Sequence, residues 1–527
     1  MFKIEDLYLL APELSLTLLA LTVLVVDLFV KRRIVTVTVA LVGLTIPAIF
    51  AISQILTLDP NTAHHAFFNM LLVDRYAIFF KIVFLLIAAV MILASYSYVG
   101  KYVKADGEFY TLMLFSVTGM MLLASTGELI SIYISLELTS FPLYVMAGLI
   151  RANERSAEAA VKYVLLGAMS SAILLYGFAL LYGLTGTTDL MGITRAIGKS
   201  VGDGNLIVVI AGILVLAGFG FKISAVPFHM WAPDIYEGAP TPATAFFSVG
   251  SKAAGFAALI RVFIDGGLGQ VYNNGQSQIT LTSLIVVISI VAILTMTLGN
   301  VVAAVQSNVK RMMAYSSIAQ AGYILVGFVT SLAGAPCVQQ QSGNCPKGVS
   351  AAIDYASVGN AAVLFFILVY VLTNLGAFSG IIALANATGR ERIEDFRGLA
   401  KRAPLLSAGT ALCLLSLAGI PPLAGFVSKV FIFTAAWSHA QSYPILIWLV
   451  VIGLINSVIS MVYYGRIVKA MYFDAPLKED HLTTPVGLSS SIALTTAALL
   501  VLTFAAQVIL AAASPAANSL FGFLLGK

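Results

Sequence analysis

Three lysines stand out because each lies deep inside a long apolar stretch of the chain. They are Lys222, Lys252 and Lys429. A charged side chain at the centre of a bilayer costs between ~3 and more than ~10 kcal/mol, so an intramembrane lysine needs a reason. Small residues or helix breakers flank all three, which leaves room for water beside each amine. Amines that take up and release protons at such positions could carry protons across a membrane.

A carboxylate, Glu137, also lies inside an apolar stretch, and it needs a counter-charge. Lys222 is the candidate partner. Desolvation favours the neutral form of a buried lysine, whereas an adjacent carboxylate favours the ammonium. Movement of the carboxylate towards or away from the amine would therefore load or unload the proton. The alternative is a static ion pair that joins two helices, although buried pairs rarely repay their cost of desolvation.

Other polar side chains in apolar surroundings could extend a proton relay between these points. The possible relay residues are His229, Gln320, Asn374 and His439, with Asn456 as a further polar group. A lone histidine near an interface, such as His229, is somewhat more often structural than a relay, and a glutamine cannot itself titrate. Two further lysines, Lys81 and Lys162, lie nearer the ends of their stretches, where an anchoring role at the lipid headgroups is favoured.

The sequence predicts no cofactor and no metal site in this chain. Its three cysteines, Cys337, Cys345 and Cys413, are too few and too scattered for an iron–sulfur cluster or a zinc site. Cys337 and Cys345 share one polar loop, and a disulfide and two free thiols both remain open. The segment 192–200 has five residues between its glycines where a phosphate-binding loop has four, so it predicts no nucleotide site.

The elements that position these residues follow from composition. The chain has 527 residues, of which 60% are hydrophobic and 10% charged, whereas soluble domains have roughly 25% charged residues. Apolar stretches of spanning length predict an all-α polytopic membrane protein with about 14 transmembrane helices. The predicted spans are 7–30, 34–58, 76–99, 109–126, 128–150, 157–184, 205–226, 241–264, 280–304, 309–331, 355–387, 403–437, 444–472 and 486–513.

The distribution of lysine and arginine predicts the orientation of these spans. Alternate loops, starting after the first span, hold 17 of the 29 basic residues, and the opposite loops hold 7. Because cytoplasmic loops are rich in Lys and Arg, both termini are expected outside the cytoplasm. The net charge of +5 is explained by this asymmetry, so no nucleic-acid partner is expected.

The seventh and twelfth spans share an interruption. One contains Leu216-Ala217-Gly218 followed by Lys222 and Pro227, and the other contains Leu417-Ala418-Gly419 followed by Pro421-Pro422 and Lys429. The twelfth span comes five positions after the seventh, an odd number, so the two would run in opposite directions through the membrane. This pattern predicts an inverted repeat with broken helices 7 and 12 and a site near the midplane. A chance match, or a match imposed by packing, is the alternative.

Four longer motifs resemble those of the antiporter-like subunits of respiratory complex I, and the resemblance covers nearly the whole chain. The motifs are the glutamate span around Glu137, PFHMWAPDIYEGAPTP at 227–242 with SKAAGF at 251–256, KRMMAYSSIA at 310–319 and GIPPLAGFVSK at 419–429. Lysine at 429 differs from one sister subunit, which has glutamate there. Gln320 departs from the many relatives that have histidine at this position, which puts a titrating relay there in doubt.

The resemblance implies two inverted five-helix repeats, formed by helices 4–8 and 9–13. The implied domains are 1–108, 109–265, 266–473 and 474–527. It also implies that Glu137 and Lys222 form the pair between helices 5 and 7, that Lys252 bridges the repeats, and that Lys429 lies on the exit side. NADH, FMN, iron–sulfur clusters and quinone would bind to other subunits of the complex.

The resemblance further implies other membrane-arm subunits and the lipid bilayer as partners, in a bacterial inner membrane. Proton translocation would be driven by quinone chemistry in distant subunits. Two alternatives remain open from the sequence. The chain could be a subunit of a cation/proton antiporter, whose members have similar broken helices, or a passive scaffold within the same complex.

Overall fold

The computed structural model of the chain describes residues 4–30, 32–59, 62–103, 105–200, 206–268, 278–340, 349–476 and 480–522. Within these ranges the side chains of 4, 198–200, 278–281, 336–340, 349–350 and 522 are not described. All structural statements below concern these residues.

Helices form nearly all of the described chain. The α-helices are α1 (Ile4–Phe29), α2 (Arg33–Gly43), α3 (Thr45–Thr57), α4 (Arg75–Tyr102), α5 (Asp106–Ala124), α6 (Leu129–Ala147), α7 (Glu154–Thr185), α8 (Leu190–Ser200), α9 (Leu206–Ile223), α10 (Trp231–Gly238), α11 (Thr241–Phe246), α12 (Lys252–Ile264), α13 (Gln278–Val305), α14 (Val309–Gln340), α15 (Val349–Thr388), α16 (Leu399–Arg402), α17 (Pro404–Ala418), α18 (Ala424–Ser438), α19 (Ile445–Tyr472), α20 (Val486–Phe504) and α21 (Ala506–Gly522). A short antiparallel hairpin of β1 (His64–Ala66) and β2 (Leu71–Val73) joins α3 to α4.

The predicted fold class is confirmed. In the described ranges, 13 helical segments are long and apolar enough to cross a membrane. The predicted span 403–437 is the broken pair α17 and α18, and with this pair the segments account for all fourteen predicted spans. The chain is therefore an integral, multi-pass helical membrane protein. The inverted relationship of the two repeats and the bounds of the four domains stay predictions.

The predicted end of the last span is wrong. The sequence predicts one span over 486–513, but α20 ends at Phe504 and α21 begins at Ala506. Ala505 between them has φ −101° and ψ 18°, which lies outside the helical conformation. Helix α21 then packs against α4 and α15 instead of continuing α20.

The first break follows α9 and is closed by a Schellman motif. Ser224 adopts a left-handed conformation with φ 60°. The amide of Ser224 donates to the carbonyl of Phe221 (3.0 Å), and the amide of Ala225 donates to the carbonyl of Gly220 (2.8 Å). These two bonds satisfy carbonyls that the end of a helix would leave without partners. After a loop that contains a cis Val226-Pro227 bond, α10 begins at Trp231.

The second break, between α17 and α18, has the same hydrogen-bond pattern. Gly419 is left-handed with φ 85°. Its amide donates to the carbonyl of Ser416 (2.9 Å), and the amide of Ile420 donates to the carbonyl of Leu415 (3.1 Å). A cis bond joins Pro421 to Pro422 before α18 begins. The structure therefore confirms the interruptions predicted in helices 7 and 12.

The centre of the molecule consists of α14, of α15 and of the continuous segment from α11 to α12. The most apolar parts of α14 and of Thr241–Ile264 are entirely buried, whereas much of α19 is exposed. A π-helical turn, Phe247–Ser251, separates α11 from α12. Lys252 is thus the first residue of α12, immediately after a widened helical turn.

Candidate functional site: three buried lysines and their oxygen partners

Lys222 lies in the last turn of α9, and only 6% of its surface is exposed. Its Nζ donates a hydrogen bond to Oγ of Ser140 on α6. Glu137 lies one turn before Ser140 on the same helix and makes no ion pair within 4.0 Å in the described chain. Its Oε1 is buried without a hydrogen-bond partner among the described residues. Ser140 therefore makes the direct contact with Lys222, and Glu137 attracts the amine from a greater distance.

Lys252 is 2% exposed and connects α12 to α14. Its Nζ donates to Oγ of Ser317, 2.8 Å away. The same hydroxyl lies 3.3 Å from the hydroxyl of Tyr236, on α10. Lys252 belongs to the first predicted repeat and Ser317 to the second, so this contact crosses the boundary between the two predicted repeats.

Lys429 lies in the second turn of α18 and is 4% exposed. Its Nζ contacts the carbonyl oxygens of Ala418 (3.1 Å) and Leu417 (3.4 Å), at the end of α17. The amine also lies 4.7 Å from the ring centre of Tyr323, a distance at which cation–π attraction operates. The helix break itself thus supplies the partners of this lysine.

Helix α14 joins the partners of Lys252 and Lys429. Nε2 of Gln320 donates to the carbonyl of Leu417 at 3.2 Å, the oxygen that Lys429 also approaches. Ser317 and Gln320 are three residues apart, so they lie on one face of the helix. One turn of α14 therefore contacts Lys252 directly through Ser317 and shares, through Gln320, a carbonyl acceptor with Lys429.

The remaining relay candidates lie away from the contacts of the three lysines. Asn374 donates to Oγ of Ser248 (2.5 Å) in the π-helical turn. His439 stacks on Tyr355, with ring centres 4.0 Å apart, beyond the end of α18. His229 is half-buried in the loop of the first break. In the hydrogen bonds of the described chain, none of these three contacts Lys222, Lys252 or Lys429 directly.

A polar group that the sequence analysis missed surrounds Asn300 on α13. Its Nδ2 lies 3.3 Å from both the hydroxyl of Tyr323 and Oδ1 of Asn456. Tyr463 donates to its Oδ1 at 2.9 Å. This group supports the ring of Tyr323 under Lys429. Of this group, the sequence singled out only Asn456. Asn300 lies close to the end of a predicted span, where a polar side chain is expected.

The expectation that Lys81 anchors at the headgroups is wrong. Lys81 is fully buried, and its Nζ lies 2.9 Å from Oε1 of Glu13 on α1. Burial of the amine required a carboxylate from another helix, and Glu13 supplies it. Lys162, in contrast, is 41% exposed and pairs with Glu158 and Asp234.

Charged residues surround α10 on the face where α7 and α14 begin. Asp234 accepts from Nζ of Lys162 and from Nη1 of Arg311, both at 2.9 Å. Arg311 also lies 3.0 Å from Glu237. Together with Arg155 and Glu158 these residues line a cavity of about 260 Å³.

The two cations keep Asp234 ionised. Burial raises the pKa of the Asp234 carboxyl, but Lys162 and Arg311 outweigh it, so this pKa lies below its usual value. A depressed pKa means that the ion pairs contribute above the unfolded pKa of about 4 and weaken only as the pH falls through the folded value. The cluster is therefore expected to persist from pH 8 to pH 5.

A second group of charges lies at the C-terminal end of α12, whereas Lys252 lies at its start. Nη2 of Arg261 lies 2.8 Å from Asp74, and Nη1 lies 3.0 Å from Asp265. Asp74 caps the start of α4, where its side chain accepts from the amide of Ala77 at 2.8 Å. The guanidinium also packs 5.0 Å from the ring centre of Tyr76. Helix α12 is thus tied to α4 at this end.

No group of three or more His, Cys, Asp or Glu side chains in the described ranges could hold a metal ion. Cys413 is a buried free thiol. The side chain of Cys337 and the whole of Cys345, and with them the expected disulfide or pair of thiols, lie outside the described residues.

A family model and an individual relative both relate the chain to NADH:quinone oxidoreductases. The family described as NADH:quinone oxidoreductase/Mrp antiporter, transmembrane, matches residues 126–338 and 349–460. The chain is 46% identical to NADH-quinone oxidoreductase subunit N of Desulfitobacterium hafniense over 404 residues, which cover 77% of each chain.

Solved structures share the fold. A chain of respiratory complex I from Thermus thermophilus with bound aureothin is 29% identical, with a TM-score of 0.72 over 95% of this chain and 98% of that one. A chain of the Mrp complex from Dietzia sp. DQ12-45-1b has a TM-score of 0.80 over 99% of both chains, but at 19% identity this likeness concerns the fold alone. The chain belongs to the NADH:quinone oxidoreductase/Mrp antiporter family of transmembrane proteins.

Proposed function

We propose that the chain is a proton-translocating membrane subunit of an NADH-quinone oxidoreductase, of the subunit N type. It takes part in catalysis as a subunit of that translocase and carries no redox group of its own. Protons move through Lys222, Lys252 and Lys429, and Glu137 modulates the first of them. The identity of 46% to a subunit N, against 19% to a chain of an Mrp complex, supports this assignment over the antiporter alternative.

The observation that carries the proposal is the turn of α14 that holds Ser317 and Gln320. Ser317 accepts from Lys252, and Gln320 shares the Leu417 carbonyl with Lys429. Buried polar groups with few partners are expensive in lipid, so a line of them through both predicted repeats requires a role. Proton transfer between the two lysines supplies that role.

The partners of the lysines suit proton transfer. Each amine donates to a neutral oxygen: a serine hydroxyl for Lys222 and Lys252, and backbone carbonyls for Lys429. Loss of a proton from such an amine leaves no unpaired anion behind. A carboxylate in direct contact would instead hold the proton, because breaking a buried ion pair is strongly unfavourable. Glu137, at a distance from Lys222, can bias the amine without trapping it.

The wider setting follows from the same assignment. The chain would lie in a bacterial cell membrane, with both termini outside the cytoplasm and with two inverted five-helix repeats. Other membrane-arm subunits would flank it. NADH, FMN, iron–sulfur clusters and quinone would bind to other subunits, and electron transfer there would drive the protons here.

The test is purification of the native assembly followed by replacement of Lys222. We expect the assembly to contain flavin and iron–sulfur clusters and to couple quinone reduction to proton pumping. In Lys222→Met, protons pumped per electron should fall, because the amine that Ser140 holds is gone. The exposed Lys401 lies in α16, away from the three lysines, so Lys401→Met is the matched control and should pump normally.

Two results would overturn the proposal. An assembly without redox groups would favour the cation/proton antiporter. A Lys222→Met complex that keeps the normal ratio of protons to electrons would make the chain a passive scaffold.

A further inference from the structure

Helix α10 connects the first break to the centre of the molecule, and its two faces differ. Trp231, Ala232, Ile235 and Tyr236 are buried, whereas Asp234 and Glu237 point towards the charged cavity. The sequence of this eight-residue helix therefore places an apolar side against the lysine site and an acidic side against cations.

The buried face contacts both neighbouring lysine sites. Nε1 of Trp231 donates to the carbonyl of Phe221 at 2.8 Å, immediately before Lys222. At the other end of α10, the hydroxyl of Tyr236 lies 3.3 Å from Oγ of Ser317, the acceptor of Lys252. A displacement of α10 would thus change both the Trp231 contact at the end of α9 and the Tyr236 contact with Ser317.

The acidic face is held from both sides of the predicted repeat boundary. Lys162, on α7, belongs to the first predicted repeat, and Arg311, on α14, belongs to the second. Both donate to Asp234 at 2.9 Å, one to each carboxylate oxygen. Glu237 also pairs with a cation from each predicted repeat, Arg311 at 3.0 Å and the exposed Arg155 at 3.5 Å, but Asp234 makes the two shorter contacts.

Close packing reinforces this attachment. A Cβ at Gly238 would collide with the backbone carbonyl of Arg155, so α10 lies directly on α7. Just beyond α10, Nζ of Lys310 donates to the carbonyl of Ala239 at 2.9 Å and pairs with Glu391 at 3.0 Å. Lys310 and Arg311, adjacent in sequence, thus hold the end of α10 and its acidic face.

We propose that Asp234 is a positioning residue, which fixes α10 between the two predicted repeats and so keeps Lys222 and Lys252 aligned for proton transfer. The inference rests on the proposed function. It assigns to the charged cavity the role of holding one short helix, through which a change in one predicted repeat reaches the other.

The competing view is that these are ordinary surface ion pairs. Isolated exposed pairs contribute little to stability. Asp234 differs from an isolated pair because it is partly buried, accepts from two cations at 2.9 Å and belongs to the helix that contacts both lysine sites; Glu237, on the same helix, has one contact as long as 3.5 Å. The difference is testable because the same cavity holds a carboxylate without that connection.

The experiment compares Asp234→Asn with Glu158→Gln in the whole assembly. Glu158 pairs with Lys162 at 2.7 Å in the same cavity, but it lies on α7 and makes no ion pair with a residue of α10 in the described chain. Each variant exchanges a carboxylate for an amide. Two quantities are measured: protons pumped per electron transferred, and hydrogen–deuterium exchange of peptides that cover 231–239.

We expect Asp234→Asn to lower the pumping ratio to the level of Lys222→Met and to accelerate exchange in 231–239 several-fold, since exchange reports local opening. Glu158→Gln should change neither quantity. Asp234→Glu should restore the ratio, because a longer carboxylate still reaches both cations. A residue needed only for assembly would lower the amount of complex and leave the ratio unchanged.

Three outcomes would overturn the inference. They are an unchanged ratio in Asp234→Asn, equal losses in Asp234→Asn and Glu158→Gln, and a lower ratio without faster exchange in 231–239. Failure of the proposed function gives a different result, since Lys222→Met would then also keep a normal ratio. If Lys222→Met loses pumping and Asp234→Asn does not, only the positioning role is wrong.

Discussion

The two helix breaks close with the same Schellman hydrogen bonds, yet they hold their lysines in different ways. Lys222 precedes its break and donates to a side chain, Ser140, on another helix. Lys429 follows its break and contacts the carbonyls of Leu417 and Ala418, which the broken helix leaves free. The first partner can move when α6 moves relative to α9, whereas the second is part of the break.

The difference separates a lysine that can be regulated from one that is fixed by backbone geometry. Glu137 lies on the same helix as Ser140, so a shift of α6 changes both the hydrogen bond and the electrostatic attraction at Lys222. Both lysines lie at the negative end of a helix dipole, which favours a cation, that of α9 for Lys222 and that of α17 for Lys429. Lys429 differs because the carbonyls of that helix end are themselves the acceptors of its amine. The first break is thus suited to control, and the second to a constant affinity for the proton.

The largest expected difference between the two breaks is in how much stability the fold loses when a glycine there is replaced by alanine. A Cβ at Gly425 would collide with the carbonyl of Ser416, whereas the nearest atoms to a Cβ at Gly220 belong to the ring of Phe228, at 2.9 Å. We expect Gly425→Ala to destabilise the fold by ~3 kcal/mol or more and Gly220→Ala by ~1 kcal/mol, because a ring can yield and a helix carbonyl cannot. Thermal denaturation of the solubilised complex measures both.

Gly465 provides the control for this comparison. It lies in α19, and a Cβ there would meet no atom within 4 Å. Gly465→Ala should be neutral or slightly stabilising, since alanine favours a helix. Equal losses of stability in Gly425→Ala and Gly220→Ala would show that the breaks are packed alike.

Serine substitutions should affect proton transfer at the first break only. Ser140→Ala removes the acceptor of Lys222, and a buried charged donor without a partner costs ~1–3 kcal/mol or more, so we expect about a tenfold slower coupled pumping. Ser460 donates to the Ala418 carbonyl at 3.2 Å, and Ser460→Ala leaves both carbonyls available to Lys429. Pumping should then change less than about twofold. A larger loss in Ser460→Ala than in Ser140→Ala would reverse the comparison.

Replacement of Gln320 should have the smallest effect. Gln320→Leu loses one hydrogen bond to the Leu417 carbonyl while Lys429 keeps the Ala418 carbonyl, so a few-fold decrease is expected from a bond worth ~1 kcal/mol. Gln320→His retains a donor and should lie within about twofold of the original rate. Initial rates of pumping in proteoliposomes measure the effect. A loss in Gln320→His as large as in Gln320→Leu would show that shape, not hydrogen bonding, matters at this position.

The spans and both breaks could be predicted from the sequence, because long apolar stretches, prolines and lysines are local signals. The sequence did not show which residue of the first break corresponds to which residue of the second. The letters Leu-Ala-Gly suggest that Gly218 matches Gly419, but Gly218 lies inside α9, and Ser224 is the residue that corresponds to Gly419. Nothing local marks a left-handed serine, and nothing local marks the end of α20 at Phe504, where the sequence stays apolar.

The lysines were identifiable, but their partners were not. Backbone carbonyls have no signature in a sequence, so the acceptors of Lys429 were invisible. Ser140 follows Glu137 by three residues, a spacing that places both on one helical face and that is the local signal for the partner of Lys222. The burial of Lys81 is not visible in the sequence, because the distance of a residue from the end of a span does not determine how deeply its side chain is buried. Glu13, the carboxylate that balances it, lies on a different helix.

The widened turn Phe247–Ser251 determines where Lys252 points. A π-helical turn accommodates one surplus residue, and in a helix each residue advances the direction of the next side chain by about 100°. All side chains from Lys252 onwards are therefore rotated by that angle relative to those of α11. Without the surplus residue, the amine would swing by more than a quarter turn away from Ser317, although no atom of the lysine itself had changed.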